Sequence, residues 1–157
     1  MLQRSGLTVV GAWVPNWQYD VYCLEKSLAD EVASRFNVQL LPVTWPKTPG
    51  GEAMQIVVPT VGEKWFDHDQ LRGRTTARHG KAGARCADCG VWRWMPLVFG
   101  ELPPLQITPL LGDVDVAASP EWFGDGWHAF RQILFRRELA ELIASASPRD
   151  FEIQPVF

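Results

Sequence analysis

Short apolar segments separated by proline and glycine are the feature that most limits how this chain can fold. The segments are rich in β-branched and aromatic residues, which is typical of strands. Only residues 27–36 and 136–147 carry the apolar period of an amphipathic helix, as where Leu139, Leu142 and Ile143 share one face. The pattern predicts a single α+β domain over residues 1–157, with a mainly antiparallel sheet and two main helices.

Several element boundaries can be predicted from capping residues. Ser27 is a candidate N-cap for the first helix, and Pro148 ends the second. Ser119 and Pro120 resemble the cap and first position of a further short helix. Residues 64–85 are polar and interrupted by glycine, which indicates a short helical turn followed by a loop. The closing segment 151–157 has the composition of a strand.

Two parts of the chain resemble each other weakly. Residues 22–43 and 133–156 each read as strand, helix and strand ending in Pro-Val, within possible halves 18–62 and 91–157 around a loop at 63–90 that contains cysteine and histidine. The similarity suggests two βαβ-like halves that arose by duplication. Chance is the competing explanation, because leucine and alanine are common in helices.

The motif with the clearest chemistry is GARCADCGVWRWM, residues 83–95. Two thiolates in a C-x-x-C-G turn can bind one ion, and the glycine allows a positive φ. Tetrahedral zinc needs four ligands, so the candidate set for one structural zinc is Cys86, Cys89, His79 and Cys23. A turn without metal is the alternative. A redox pair is less favoured, because residues 91–95 indicate a strand rather than a helix after the cysteines.

Composition and charge exclude several classes of protein. A net charge of −3 argues against binding nucleic acid through bulk charge, so no nucleic-acid partner is expected. No apolar stretch is long enough to span a bilayer, and three cysteines without a signal peptide indicate a cytoplasmic chain with no membrane partner. No catalytic pattern of serine, histidine and aspartate is recognisable, which predicts a protein that is not an enzyme.

The CADCG motif, together with SPEWFGDGWHAFRQILFRRELAELIASASPRDFEIQPV, resembles the double-CXXCG motif family of bacterial proteins. The resemblance covers residues 79–157 best. Some members are described as Sit-type immunity proteins, so it implies a non-catalytic protein that binds and neutralises a cognate toxin. This chain has one C-x-x-C-G motif instead of two, and Lys26 stands where a cysteine would be needed after Cys23.

The interaction surface has one candidate segment. Acidic groups that steer a basic toxin domain and aromatic anchors occur together between residues 113 and 127. The predicted toxin-binding residues are Asp113, Asp115, Glu121, Trp122, Asp125 and Trp127. Aromatic residues that fill the core are the alternative. The alternative function is a small zinc knuckle that binds nucleic acid through the basic segment 72–85 with Trp92 and Trp94.

Overall fold

A computed structural model describes residues 9–15, 18–45, 51–106 and 113–156, without the side chain of Trp127. It has three helices and eight strands in these ranges, and the predicted α+β class is confirmed. In chain order the elements are β1 (Ala12–Trp13), β2 (Cys23–Glu25), α1 (Lys26–Arg35), β3 (Gln39–Pro42), β4 (Ala53–Val57), α2 (His68–His79), β5 (Gly83–Arg85), β6 (Trp92–Trp94), β7 (Val116–Phe123), β8 (Phe130–Phe135) and α3 (Arg137–Ala146).

The first sheet is built from the N-terminal strands in the order β1-β2-β4-β3. Every neighbouring pair is antiparallel, and the register places Leu24 opposite both Ala12 and Met54. Because β2 and β3 both run antiparallel to β4, they are parallel to each other with β4 between them. Helix α1 makes the crossover between them, which gives a split β-α-β unit.

The second sheet has the order β5-β6-β7-β8 and is mixed, because β6 and β7 run parallel while the other pairs are antiparallel. A bridge between Thr60 and Ala118 connects the segment after β4 to β7. There the Ala118 N–H donates to the Pro59 carbonyl oxygen at 2.8 Å. The second sheet is therefore attached to the chain that leaves the first.

Two hydrophobic clusters form the main core, and β7 contributes to both. Its Val116 packs in the first cluster, while Ala117 and Phe123 pack in the second. The first cluster holds α1 and α3 against the first sheet through Leu24, Leu28, Ala29, Val32, Ile56, Leu139 and Ile143. The second lies under α2 and contains Trp65, Phe66, Leu71, Trp94 and Leu97. Burial of these apolar side chains is the main driving force for folding.

The two predicted helices are confirmed, with small changes at their ends. Helix α3 covers Arg137–Ala146 and buries Leu139 and Ile143. Helix α1 begins at Lys26, and its N-cap residue Glu25 makes no side-chain capping bond. The prediction of Ser27 as the N-cap is wrong, since Ser27 lies inside the first turn and its hydroxyl donates to the Glu25 carboxylate at 3.0 Å.

A short helical turn followed by a loop was predicted at residues 64–85. The extent of that helix is wrong, because most of this segment forms the twelve-residue α2 and then β5. The Asp67 carboxylate caps α2 by accepting the N–H groups of Asp69 at 3.0 Å and Gln70 at 2.9 Å. The Gln70 N–H in particular lowers the pKa of Asp67 below its usual value. Gly80 ends the helix in the left-handed conformation, with φ +74°.

The predicted short helix after Ser119 is also wrong, because Ser119 and Pro120 lie in β7. The register of β7 against β8 shifts between Ala118 and Trp122, which marks a bulge. The buried Ser119 hydroxyl serves this bulge instead of a helix end. It donates to the Glu121 carbonyl oxygen at 2.9 Å and accepts the Gln132 N–H at 3.1 Å.

The two predicted halves differ at their ends. The first contains β2, α1 and β3, whereas α3 is followed by residues 147–156 without a strand, so the predicted closing strand is wrong over that range. The duplication itself stays a prediction. Among the described helices, none has the length and apolar character needed to cross a membrane.

Candidate functional site

The cysteine motif forms a tight turn between β5 and β6, residues 86–90, which we call the knuckle turn. The Cys86 N–H donates to the Val91 carbonyl oxygen at 2.9 Å, and the Gly90 N–H donates to the Cys86 carbonyl oxygen at 3.0 Å. Gly90 has φ +70°, which confirms the positive φ predicted for the glycine of the motif. The two sulfur atoms lie within hydrogen-bonding reach of each other.

The knuckle turn stabilises a thiolate at Cys86. The backbone N–H groups of Cys89 and Asp88 point at its sulfur, and the Cys89 thiol contributes a further hydrogen bond, so the pKa of Cys86 is lowered. Cys23 has the opposite environment, because burial raises its pKa to about 11. Its thiol lies in the first sheet beside Val43 and Ala53.

We expect iodoacetamide to modify Cys86 before Cys23 in the native protein. The thiolate is the nucleophile, so a lowered pKa increases reactivity near pH 7, while burial and a raised pKa protect Cys23. Time courses between pH 6 and pH 9, read by peptide mass spectrometry, measure both rates. The rates should converge in concentrated urea. Equal alkylation rates of Cys86 and Cys23 in the native protein would contradict the predicted difference in thiol reactivity.

The four predicted zinc ligands do not come together. Cys86 and Cys89 are adjacent, but His79 ends α2 with its Nε2 atom 2.7 Å from the Pro96 carbonyl oxygen, and Cys23 is buried in the first sheet. Within the described ranges, no three side chains of histidine, cysteine, aspartate or glutamate are grouped to hold a metal ion. The knuckle turn therefore fits two of the four positions of a tetrahedral zinc site, and the proposed set of four is not assembled.

Beside the knuckle turn lies a depression of about 950 Å³, which we call the knuckle groove. Its walls are β5, residues 93–96 and residues 124–130. The Tyr19 and Phe130 rings pack edge to face here, with ring centroids 6.0 Å apart. Charges of both signs line the groove, namely Lys81, Arg85, Asp88, Arg93 and Asp125. A surface of this composition suits a polar partner segment with an aromatic or aliphatic anchor.

The five predicted toxin-binding residues whose side chains the structure describes do not form one surface. Asp113 and Asp125 are exposed beyond opposite ends of the eight-residue strand β7. Asp115 pairs with Arg136 and also accepts the Asn37 N–H at 2.7 Å, so it has a structural role. Among the five with a described side chain, Asp125 is the one that lines the knuckle groove.

The remaining three residues have different environments. Trp122 is half-buried, with the Arg131 guanidinium carbon 5.1 Å from its ring centroid. The side chain of Trp127 lies outside the described part of the structure. Glu121 was expected to be an exposed steering charge, and this is wrong, because only 5% of the residue is accessible. The bulge in β7 turns it towards the second core.

Glu121 forms a buried polar centre, a role that was not predicted from the sequence. Its Oε1 atom accepts the N–H of Trp65 at 2.8 Å and of Phe66 at 3.3 Å, and lies 3.1 Å from His68 Nε2. Its Oε2 atom is buried and has no partner among the described residues. Unsatisfied buried carboxylate oxygens are uncommon and call for an explanation.

A second cavity of about 500 Å³ adjoins this carboxylate, and we call it the tryptophan cavity. The Trp94 ring lies next to the His68 ring, with centroids 5.3 Å apart, and packs edge to face with Trp92 at 5.6 Å. The lining residues are Glu63, His68, Arg72, Arg85, Val91, Trp92, Trp94, Pro120 and Glu121. Arg72 and Arg85, the first and last residues of the basic segment in the nucleic-acid alternative, line this cavity together with Trp92 and Trp94.

No protein-family model, curated protein or solved structure matches this chain. The resemblance to the double-CXXCG family is thus left as a prediction.

Proposed function

We propose that this chain is a non-catalytic immunity protein that binds and neutralises a cognate bacterial toxin domain in the cytoplasm. The observation that carries the proposal is the position of the knuckle groove. It lies directly against the CADCG turn, the motif on which the resemblance to the immunity proteins depends. Asp125, from the segment predicted to bind the toxin, lies on its other side.

The chemistry of the knuckle groove supports a protein partner. Its volume is near the upper end of the range for small-molecule pockets, and most of its charged residues are exposed. Asp88 and Asp125 have no ion-pair partner among the described residues. Exposed carboxylates of this kind pair with basic groups of a partner, while Lys81, Arg85 and Arg93 in the same groove pair with acidic ones, and such charge matching contributes to the choice between partners. The half-exposed ring of Tyr19 offers an aromatic contact at the rim.

Charge reversal in the knuckle groove tests the proposal. We expect Asp88→Lys with Asp125→Lys to weaken binding of the cognate toxin at least tenfold and to abolish protection, since like charges would then face a basic partner. The measurements are survival of cells that co-express the chain with the toxin candidate encoded beside it, and calorimetric titration of the purified pair. Thermal stability should change little, because both positions are exposed.

The matched control reverses two exposed acidic residues away from the groove. Asp150→Lys with Glu152→Lys makes the same change in net charge near the C-terminal end, so it should keep both binding and protection. If the groove variant folds and still protects, the groove is not the interface. If the unaltered chain neither binds nor protects against the neighbouring candidate, the immunity proposal itself fails for that pair.

The nucleic-acid alternative retains one supporting observation. Arg72, Arg85 and two tryptophans line the tryptophan cavity, where they could contact phosphate and bases. The overall charge of −3 counts against an extended nucleic-acid surface. Titration of the purified chain with a short oligonucleotide tests this alternative, and no binding at millimolar concentration would exclude it.

A further inference from the structure

We propose that the knuckle turn binds zinc together with the knuckle turn of a second copy of this chain, so that one ion joins two chains through Cys86 and Cys89 of each. One turn supplies two thiolates, and a structural zinc site is closed by four ligands. Zinc content and molecular mass are measured without a toxin, so this site stands or fails apart from the proposed immunity function.

Within the described ranges, the chain by itself does not complete the site. Every cysteine, histidine, aspartate and glutamate of the sequence lies in those ranges, and no three of them are grouped to hold a metal ion. His68 and His79 each lie within hydrogen-bond distance of an oxygen atom outside the turn, and Cys23 is buried in the first sheet. His128 lines the knuckle groove without belonging to such a group. The two missing ligands must therefore come from another molecule.

The position of the turn allows a second copy to supply them. Residues 87–90 at its tip are all exposed, Cys89 among them, and the half-buried Cys86 lies beside that thiol. Val91, next to the tip, leaves 41% of its surface accessible. Two identical tips can meet at a two-fold axis, where each copy makes the same contacts with the other. The knuckle groove extends from the turn to residues 124–130, so its far wall lies away from the joined tips.

The charges around the turn match a zinc centre shared by two chains. A divalent ion with four thiolates carries two net negative charges. The charged residues of the hairpin, residues 83–94, are Arg85, Asp88 and Arg93. Each chain thus brings two arginines and one aspartate, and two chains have a surplus of two positive charges. That surplus equals the charge of the four-thiolate centre.

Both arginines are placed to act on this centre. The positive charge of Arg93 stabilises the Cys86 thiolate, and the Arg93 Nε atom is buried with no hydrogen-bond partner among the described residues. Arg85 donates to the Gly90 carbonyl oxygen at 2.9 Å, which holds the turn closed. Neither has a carboxylate at ion-pair distance in the described part of the chain. Groups around the ligands of a metal site orient those ligands and raise metal affinity.

The ligand type selects zinc over other ions and over a disulfide. Thiolates are soft ligands, so Mg²⁺ and Ca²⁺ are excluded, and a tetrahedral set of four sulfur atoms is typical of zinc or iron. A disulfide between the two cysteines of one turn would require an oxidant, whereas zinc binding requires none and releases only protons. Iron and the disulfide are outcomes that the titration below distinguishes from zinc.

Zinc titration of the full chain, purified with a reducing agent and stripped with EDTA, tests the proposal. We expect saturation at one ion per two chains and a molecular mass by light scattering that rises to twice the 17.7 kDa of the single chain. EDTA should reverse the change, because two turns bury too little area for a stable dimer without the metal. Co²⁺ in place of Zn²⁺ should give the visible absorption of a tetrahedral thiolate complex at the same ratio.

Cys86→Ser with Cys89→Ser should abolish both zinc binding and the increase in mass, while circular dichroism shows that the variant is folded. In the unaltered chain, zinc should protect Cys86 from iodoacetamide and leave the rate at Cys23 unchanged. Protection is specific to the turn, because Cys23 lies in the first sheet.

Arg85→Ala keeps both cysteines and should weaken zinc affinity about tenfold or more, the usual effect of losing a group that supports the ligands. Arg74→Ala is the matched control, since Arg74 donates to the Glu101 and Leu102 carbonyl oxygens outside the turn. It should leave zinc affinity and the ratio of one ion to two chains unchanged.

His79→Ala and His128→Ala separate the shared site from a site within one chain, and both variants should bind zinc as the unaltered chain does. Loss of zinc in either variant, or one ion per chain with no change in mass, would overturn the proposal. It would equally be overturned by no binding at millimolar zinc under reducing conditions, by iron held in preference to zinc, or by a doubled mass that survives EDTA.

Discussion

Glu121→Leu should lower the free energy of unfolding by about 3–5 kcal/mol. The Glu121 carboxylate accepts two buried backbone N–H groups, from Trp65 and Phe66, and leucine would leave both without an acceptor. Each unsatisfied buried donor costs about 1–3 kcal/mol. The added methyl groups would recover only part of this, because the residue already lies in a close-packed core.

Urea denaturation, followed by tryptophan fluorescence and by circular dichroism, measures this change. Glu121→Gln is the matched control, since its amide oxygen can still accept the Trp65 N–H. It should lose less than half as much stability as the leucine variant. If the two variants have the same midpoint and the same slope, the hydrogen bonds to the carboxylate are not what holds residues 65 and 66 against β7.

The elements that the sequence predicted well have a strong apolar period. Helices α1 and α3 each place buried residues four positions apart, Leu28 with Val32 and Leu139 with Ile143, and a helix is the conformation that brings such pairs to one face. Only a short turn of helix α2 was predicted, because the helix buries few residues, Leu71 and Thr75. The sequence evidence for α2 is at its two ends, where Asp67 caps the N-terminus and Gly80, thirteen residues later, ends the helix.

The Ser119-Pro120 pair shows why local chemistry alone can mislead. A serine before a proline serves equally well at a helix start and at a bulge in a strand, and the choice depends on the partner strand β8. Because the helix interpretation was taken, Glu121 was placed on an exposed surface. In the structure the bulge directs it to the backbone of residues 65 and 66, more than fifty positions away in the chain.

The candidate site also contains a part that could be predicted from the sequence and a part that could not. The knuckle turn could be predicted because the C-x-x-C-G spacing and the glycine φ are local properties. The tryptophan cavity could be predicted only in part, since the basic segment 72–85 was considered together with Trp92 and Trp94, while Glu121 was assigned to a toxin-binding surface. Cys23 could not be placed from spacing at all, because its position depends on the pairing of β2 in the first sheet.

Gly11→Ala is expected to lower the free energy of unfolding by about 2–4 kcal/mol. Gly11 has φ +64°, a conformation that costs an alanine roughly 1 kcal/mol. A β-carbon there would also lie 2.4 Å from Ser147 Oγ and 2.6 Å from the Ala146 carbonyl oxygen. Since the Ser147 hydroxyl oxygen accepts the Ala12 N–H at 2.8 Å, the clash would separate α3 from β1.

Gly73→Ala is the same substitution at a position where we expect it to stabilise the fold. Gly73 lies in the exposed interior of α2, and nothing approaches within 4 Å of where its β-carbon would be. We therefore expect a gain of about 0.5–1 kcal/mol, because alanine has the higher helix propensity. Thermal and urea denaturation of both variants should move in opposite directions from the parent chain. A neutral Gly11→Ala would mean that the end of α3 is not held against β1, and that the contact between Ala12 and Ser147 contributes little to the fold.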